Sequence, residues 1–494
     1  MNYGSIRRFL GMVLRFEAAF LLLPSIVALI YMEKAGLYYL LTAVLCFGIG
    51  TLLQLVRSDK GAFYTKEGFV GVALSWIVLS AFGALPFVLC GDIPSYTDAL
   101  FETISGFTTT GASILNDVGA LNHCSLFWRS FTHWVGGMGV IVFILAVMPL
   151  TGGYNMHLMR AESPGPSVGK LVPRVRDTAL ILYSIYFGMT VIQCILLMIC
   201  GMPVFDALCI TFGTAGTGGF AVRSSGFADY TVLQQAIITV FMIMFGVNFN
   251  AYYFLLLGKT WKEKKAAFQM SEVKAYFGII AFCIVTITWS IRGFYGSILM
   301  SFHQAAFQVG SIITTTGYST VDFDQWPQYS RSLLVLIMFC GACAGSTGGG
   351  IKVSRILLML KTVKQEVLHF IHPRSVSTVK LDGKAVDKET VRGVNVYLAA
   401  YCMIFVMSLL IITMFDNQDL VTVFTSVAAT FNNIGPGLNA VGPMANYGHL
   451  LPVTKYVLMF DMLAGRLELF PMLLLFVPSV WKVKRAEVKS LFPL

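Results

Sequence analysis

Charge is what this sequence has least of. Asp and Glu number 25 and Lys and Arg 35 in 494 residues, so 12% of the chain is charged against 56% hydrophobic. That charged share is roughly half of what soluble domains carry. It excludes a large water-facing surface, and lipid is left as the solvent. Catalytic patterns are missing too. The seven histidines (123, 133, 157, 303, 369, 372 and 449) form no H-E-x-x-H, and His369 and His372 have no acidic partners at metal-site spacing. No G-x-S-x-G occurs, so no nucleophile–base signature points to an enzyme. The ten cysteines are scattered through apolar text, and the one C-x-x-C, Cys340 and Cys343, has no second pair near it. Such cysteines act as small buried hydrophobes rather than as zinc or redox sites.

What is present is a succession of apolar runs of about 20 residues, the length that crosses a bilayer core. Arg7, Arg8 and Arg15 precede an apolar stretch at 16–31, but that stretch leads straight to another at 37–56 with no small-residue cleavage site. A retained first helix is expected, and spans of about 12–31 and 37–56 form an initial pair.

The net charge of +10 does not read as nucleic-acid binding, because of where the charge lies. Of the 35 Lys and Arg, 26 fall in the stretches 1–15, 57–66, 160–176, 259–274, 361–392 and 482–489. Between them lie short loops holding Asp92 and Asp98, Asp117, Asp206 and Asp229, Asp322 and Asp324, or Asp416 and Asp419. This is the positive-inside pattern, and it places both termini in the cytoplasm. Acidic outer loops would also concentrate cations locally.

After the initial pair the text repeats four times: a long span, a short weakly apolar segment ending in Thr/Gly, a polar loop and another span. The short segments are Asp98–Gly111, Asp206–Gly218, Gln304–Gly317 and Thr422–Gly435, recurring at intervals of about a hundred residues. Recurrence of one unit means duplication of a supersecondary structure. The units divide the chain into an N-terminal pair with its loop (1–66) and repeats at 67–177, 178–274, 275–390 and 391–494. Each short segment suits a helix too short to span. Asp98 and Asp206 are good helix-start residues, and Thr/Gly ends the helix. Only if each segment enters and returns do the basic stretches at 160–176, 259–274 and 361–392 share one side. The fold class expected is all-α integral membrane, with ten transmembrane helices and four re-entrant pore loops around one central pore. Irregular backbone at that depth must line water or be buried in protein.

Extended Thr/Gly backbone can replace a cation's hydration shell with carbonyl oxygens. Thr108-Thr109-Thr110-Gly111 and Thr314-Thr315-Thr316-Gly317-Tyr318 resemble the T-V-G-Y-G filter of tetrameric potassium channels. The second loop offers Gly216-Thr217-Gly218-Gly219, and the fourth Asn432-Asn433-Ile434-Gly435-Pro436 without threonine. Unequal loops predict a preference for K⁺ and Rb⁺ over Na⁺ that is moderate.

The four loops, S-G-F-T-T-T-G-A, T-G-G-F, T-T-T-G-Y and N-N-I-G-P-G, together with Gly341–Lys352, resemble the TrkH/TrkG/KtrB superfamily of potassium transporters over essentially the whole chain. The extra N-terminal pair makes the chain more like the TrkH branch. The resemblance implies a bacterial inner-membrane protein that takes up potassium. It implies a homodimer with one pore per subunit, controlled by a cytosolic ring of TrkA-type nucleotide-binding subunits. It carries ion-lining roles onto Thr109, Thr110, Gly111, Gly216, Thr217, Gly218, Thr315, Thr316, Gly317, Asn433, Ile434 and Gly435, with Gly111, Gly218, Gly317 and Gly435 as the filter glycines. K⁺ is the transported ion, and no organic cofactor is expected.

Residues 340–350 (Cys-Gly-Ala-Cys-Ala-Gly-Ser-Thr-Gly-Gly-Gly) interrupt the second span of repeat three. So many glycines do not hold a helix, at roughly 1 kcal/mol each relative to alanine. A phosphate loop is excluded because Ile351 separates Gly350 from Lys352. Gly345, Ser346, Thr347, Gly348, Gly349 and Gly350 instead read as a movable intramembrane barrier, as the resemblance also implies, with close packing through small residues as the plainer alternative. Asp461, Arg466 and Glu468 stand in the matching span of repeat four, where ionisable groups are costly. Arg466 is the candidate to hold the barrier by donating to its carbonyls, or else pairs with Asp461 or Glu468. The basic segment 361–392 is a candidate docking surface for the ring. An alternating-access potassium symporter coupled to Na⁺ or H⁺ is the rival mechanism. It is disfavoured because the repeats run parallel rather than inverted.

Overall fold

The structure, a computed structural model, describes residues 1–55, 65–139, 175–374 and 378–481. The basic stretches at 160–174 and 482–489, most of 57–66 and the expected span residues 140–150 lie outside the described residues.

The initial pair is α1 (Tyr3–Ile30), capped by the Asn2 side chain, and α2 (Gly36–Leu55). They meet through glycine: a β-carbon on Gly11 or on Gly50 would lie 2.7 Å from the other's carbonyl oxygen. Small residues allow this close approach between membrane helices.

Four units follow. The first holds α3 (Thr65–Gly83), α4 (Leu85–Cys90), a short α5 (Tyr96–Phe107) and α6 (His123–Gly137). The second holds α7 (Val175–Ile199), a short α8 (Val204–Gly216), α9 (Val232–Phe245) and α10 (Phe249–Leu257). A further helix, α11 (Trp261–Gln269), links it to the third unit: α12 (Ser271–Ser290), a short α13 (Ile298–Ile313), α14 (Gln328–Met338) and α15 (Val353–Ile371). The fourth holds α16 (Lys388–Phe415), a short α17 (Leu420–Phe431), α18 (Pro452–Arg466), α19 (Phe470–Leu475) and α20 (Pro478–Trp481). Asp98 and Asp206 fall in the first turns of α5 and α8, and Asp419 caps α17 by accepting from the amides of Val421 and Thr422, both at 3.1 Å.

Burial is inverted relative to a soluble protein. The short helices α5, α8, α13 and α17 are exposed at their starts and buried over their C-terminal halves, where most of their threonines lie, whereas α2, α7, α12 and α16 expose Leu45, Ile192, Phe282 and Met407. The polar end of each repeat therefore faces the centre, and apolar side chains face outward as lipid requires.

Two departures from the sequence reading stand out. The fold is not purely α: Lys380–Leu381 pairs antiparallel with Lys384–Ala385 around Asp382 and Gly383, both with positive φ. An Asp-Gly pair suits a tight hairpin turn. The second departure concerns continuity. Among the described residues, six helices are long and apolar enough to cross a membrane, and α9 with α10 makes a seventh apolar stretch of that length, bent by 94° at its break. Within the described residues, the outgoing helix of every unit stops at an equivalent place: after Gly137, at Gly246–Asn248, after Met338 and after Arg466. Only the third break was legible beforehand.

Candidate functional site

The four short helices end alike. Thr109, Thr217, Thr315 and Asn433 each adopt left-handed backbone, with φ of 56°, 54°, 59° and 55°. The amide of the next residue (Thr110, Gly218, Thr316, Ile434) turns back to a helix carbonyl (Ser105, Gly213, Ser311, Ala429) at 2.8–2.9 Å. Left-handed non-glycine residues cost of order ~1–3 kcal/mol, and they persist where the surroundings over-determine them. Four at equivalent positions mark a shared backbone design.

That design fixes the register, and it moves one residue. Gly218 is the counterpart of Thr110, Thr316 and Ile434, so the partner of Gly111, Gly317 and Gly435 is Gly219, not Gly218 as expected from the sequence. The glycines close a ring. A β-carbon on Gly111 would meet the Gly219 nitrogen at 2.3 Å, and one on Gly219 the Thr316 oxygen at 2.8 Å. One on Gly317 would meet the Ile434 oxygen at 1.8 Å, and one on Gly435 the Thr110 oxygen at 2.7 Å. Each loop abuts the next, and the fourth abuts the first. Only glycine fits so close an approach. The sequence reading took Gly218, and the backbone places Gly219 in that position.

The loops are supported unequally. The hydroxyls of Thr108 and Thr110 share a hydrogen bond of 2.8 Å, and those of Thr314 and Thr316 one of 2.7 Å. Loops two and four place Gly216 with Gly218 and Asn432 with Ile434 there, without paired hydroxyls. Loops one and three stand opposite each other in the ring, so its chemistry is two-fold. Asn433 compensates by donating to the Thr110 hydroxyl at 3.0 Å and the Met462 carbonyl at 2.9 Å. The Tyr447 hydroxyl donates to the Gly435 carbonyl at 2.6 Å, and Tyr318 to the Ile210 carbonyl at 3.1 Å. His133, fully buried, joins loops one and two. Its Nδ1 lies 2.8 Å from the Gly106 carbonyl, and its Nε2 accepts from the Phe220 amide at 3.3 Å. A carbonyl only accepts, so this is the neutral ring with its proton on Nδ1.

On one side the ring floors a vestibule of about 150 Å³, lined at its base by Gly111, Gly219, Gly317 and Gly435. Gly218 does not line it. Arg129 and Arg223 do, and each carries a carboxylate partner: Arg129 donates to Glu102 at 2.7 Å with both side chains buried, and Arg223 to Asp206 at 2.9 Å. Asp98 and Asp324 are likewise paired, with Lys455 and Arg331. The acids expected to gather cations are thus largely committed to structure. Asp117 sits at the rim, held below the usual carboxylate range by the Ser224 hydroxyl and the Gly119 amide.

On the other side lies the connection from Phe339 to Lys352. The Gly349 amide donates to the Thr315 hydroxyl at 2.6 Å, docking this segment against the third loop. Its flanks are tied to the second repeat: the Cys343 amide to the Gly246 carbonyl and the Phe249 amide to the Gly345 carbonyl, both at 3.0 Å. Glu272, at the start of α12, accepts from the amides of Ala344 (2.6 Å) and Ser354 (3.1 Å). Arg466 donates to the Thr347 carbonyl at 2.8 Å and to the carbonyls of Gly136 and Gly137 at 2.5 and 2.7 Å. It joins the first, third and fourth breaks. Lys352, fully buried, folds back onto the carbonyls of Gly348 and Gly349. Asp461 accepts from Ser408 at 2.7 Å, and Glu468 pairs with Arg355.

Of the residues singled out from the sequence, the structure brings Gly111, Gly317 and Gly435 into one ring and Thr347 against Arg466, while Gly218 stands one position outside the ring and Asp461 is bonded to Ser408. It adds Gly219, His133, Glu102, Arg129, Glu272 and Lys352. Glu102 and Arg129 carried a signal, since ionisable residues in apolar text are rarely idle.

Comparison with known proteins places the chain among cation transport proteins. A family model described as a cation transport protein of the TrkH type matches residues 38–294 and 296–483. Trk system potassium uptake protein TrkH of Salmonella typhimurium is 38% identical over 490 residues, covering 98% of this chain and all of that protein. TrkG of Escherichia coli is 33% identical over 93% of this chain and 94% of its own length. The crystal structure of the potassium transporter TrkH from Vibrio parahaemolyticus superposes with a TM-score of 0.86 at 33% identity, covering 98% of this chain and all of that one.

Proposed function

This chain belongs to the TrkH family of cation transport proteins, and on that premise we propose that it takes up potassium through a gated, channel-like pore. It is a transporter and not an enzyme. The observation that carries the proposal is the closed ring of Gly111, Gly219, Gly317 and Gly435 beneath the vestibule. Four convergent backbones offer carbonyl oxygens to a dehydrated ion, and the arginines of the vestibule, Arg129 and Arg223, are paired with carboxylates, the arrangement that suits a monovalent cation. Thr109, Thr110, Thr217, Gly218, Thr315, Thr316, Asn433 and Ile434 supply the flanking positions, with Gly216 leading in. Paired hydroxyls on two loops out of four favour K⁺ and Rb⁺ over Na⁺ moderately.

The barrier is the segment Gly345–Gly350. It sits under the ring, and a cation leaving the filter meets Arg466 and Lys352. Opening requires the loop to leave the Thr315 hydroxyl and Arg466. The ten-helix count follows if each broken outgoing helix is one span and each short helix re-enters. On this reading the termini and basic stretches face the cytoplasm, the vestibule faces outward, and the protein sits in a bacterial inner membrane. A homodimer and a TrkA-type cytosolic ring, with 361–392 as one docking surface, complete the proposal.

Reconstitution tests it. Purified protein in liposomes should carry K⁺ and Rb⁺ faster than Na⁺, and faster still with its cytosolic partner. Flux that requires stoichiometric Na⁺ or H⁺ would replace the pore with a symporter.

A further inference from the structure

The segment between the second and third repeats grips the barrier at both of its ends. At one end the Phe249 amide, in the first turn of α10, bonds the Gly345 carbonyl. At the other end Glu272, in the first turn of α12, bonds the Ala344 and Ser354 amides and also accepts from Asn248 at 3.3 Å. Helix α10 turns away from α9 by 94° at this point. Between these two grips stands α11.

Helix α11 reads Trp-Lys-Glu-Lys-Lys-Ala-Ala-Phe-Gln, and a capping box between Thr260 and Glu263 defines its start. Its faces are distinct. Ala267 is buried against the protein, while Trp261 is 82% and Phe268 64% exposed. Seven residues apart on a helix, Trp261 and Phe268 share one outward stripe. Lys265 follows Trp261 by four positions and Lys264 precedes Phe268 by four, so a lysine flanks the aromatic stripe on each side. An aromatic stripe edged by lysines, at the end of a transmembrane helix, matches the headgroup layer of an anionic membrane. The rings enter the interface, and the ammonium groups meet lipid phosphates.

We propose that α11 is a docking site for anionic phospholipid on the cytoplasmic leaflet, and that this contact holds the barrier shut. The occupant is the bilayer surface itself, chosen by charge complementarity and by the exposed aromatic pair. The direction follows from linkage. A ligand favours the state to which it binds. In the arrangement seen here, α11 presents its lipid-binding stripe while both ends of the segment are bonded to the closed loop. This inference rests on the pore-and-barrier reading above.

The test uses the full-length protein in vesicles of phosphatidylcholine alone or mixed with phosphatidylglycerol, with ⁸⁶Rb⁺ influx as the readout. Basal influx is expected to fall several-fold with phosphatidylglycerol. The variant Lys264→Gln/Lys265→Gln should match the parent in neutral vesicles and lose the lipid response. Brominated phosphatidylglycerol should quench the parent more than a Trp261→Phe variant, which shows that the stripe touches lipid. Equal influx in both lipids, or a lipid response that survives in the lysine variant, overturns the proposal. Loss of response to a cytosolic partner protein, in a parent indifferent to lipid, would assign this face to that protein and overturn it as well. Arg466→Ala separates the two levels. If it raises influx while lipid has no effect, only the lipid site fails; if it leaves influx unchanged, the barrier reading fails.

Discussion

The guanidinium of Arg466 donates to the Thr347 carbonyl at 2.8 Å, which ties the end of α18 to the middle of the third repeat's intramembrane loop. The same side chain reaches Gly136 and Gly137 of the first repeat. A single cation thus ties the ends of α6 and α18 to the 345–350 loop. Hydrogen bonds from a charged donor are worth about 1.5–3 kcal/mol each. Arg466→Ala should therefore raise basal ⁸⁶Rb⁺ influx by about tenfold or more, since 1.4 kcal/mol is a factor of ten. Arg466→Lys, a single point donor without the planar fork, should fall between.

The glycine ring predicts a sharp steric outcome. Gly317 has φ of 80°, and a β-carbon there would lie 1.8 Å from the Ile434 oxygen. Gly317→Ala should abolish K⁺ influx. Gly278→Ala, at a position with open space around it, should leave influx unchanged at equal expression.

Tyr447 tests the support of the fourth loop. Its hydroxyl bonds the Gly435 carbonyl at 2.6 Å. Tyr447→Phe removes one neutral hydrogen bond, worth about 1 kcal/mol, and keeps the ring packing. The protein should stay folded and lose part of its discrimination between K⁺ and Na⁺, read from paired flux measurements.

The buried pair Glu102 and Arg129 bears on stability. Glu102 also accepts from the Ser113 hydroxyl and the Ile114 amide, both at 3.0 Å, just beyond Gly111. Removing one member of such a pair strands the other charge and costs about 3–5 kcal/mol. Glu102→Ala should lower the thermal unfolding midpoint in detergent by several degrees. Replacing both residues should cost less than the sum of the single changes, because they share one interaction.

Much of this was legible in the sequence because membrane topology is written in coarse chemistry. Hydropathy, lysine and arginine placement and the recurring Thr/Gly loops gave the four units, the initial helix pair and the short central helices. Residues 340–350 and Arg466 stood out because glycine runs and ionisable groups are anomalous within apolar spans. What the sequence left hidden is geometric. The choice between Gly218 and Gly219 depends on where the left-handed turn at Thr217 falls. The breaks in the first, second and fourth outgoing helices carry no comparable glycine run; at the fourth, positive φ falls on Glu468 and Leu469. His133 and Glu272 act through partners distant in sequence, which no local pattern announces. The hairpin at 380–385 was hidden within a stretch that read only as basic.

The most direct test of a potassium pore is the reversal potential of protein-containing planar bilayers, with K⁺ on one side and an equal concentration of Na⁺ on the other. The account predicts a current that reverses away from zero, on the side that marks K⁺ as the more permeant ion, with Rb⁺ replacing K⁺ almost without change. A reversal at zero, or one that tracks an imposed proton gradient, would contradict it.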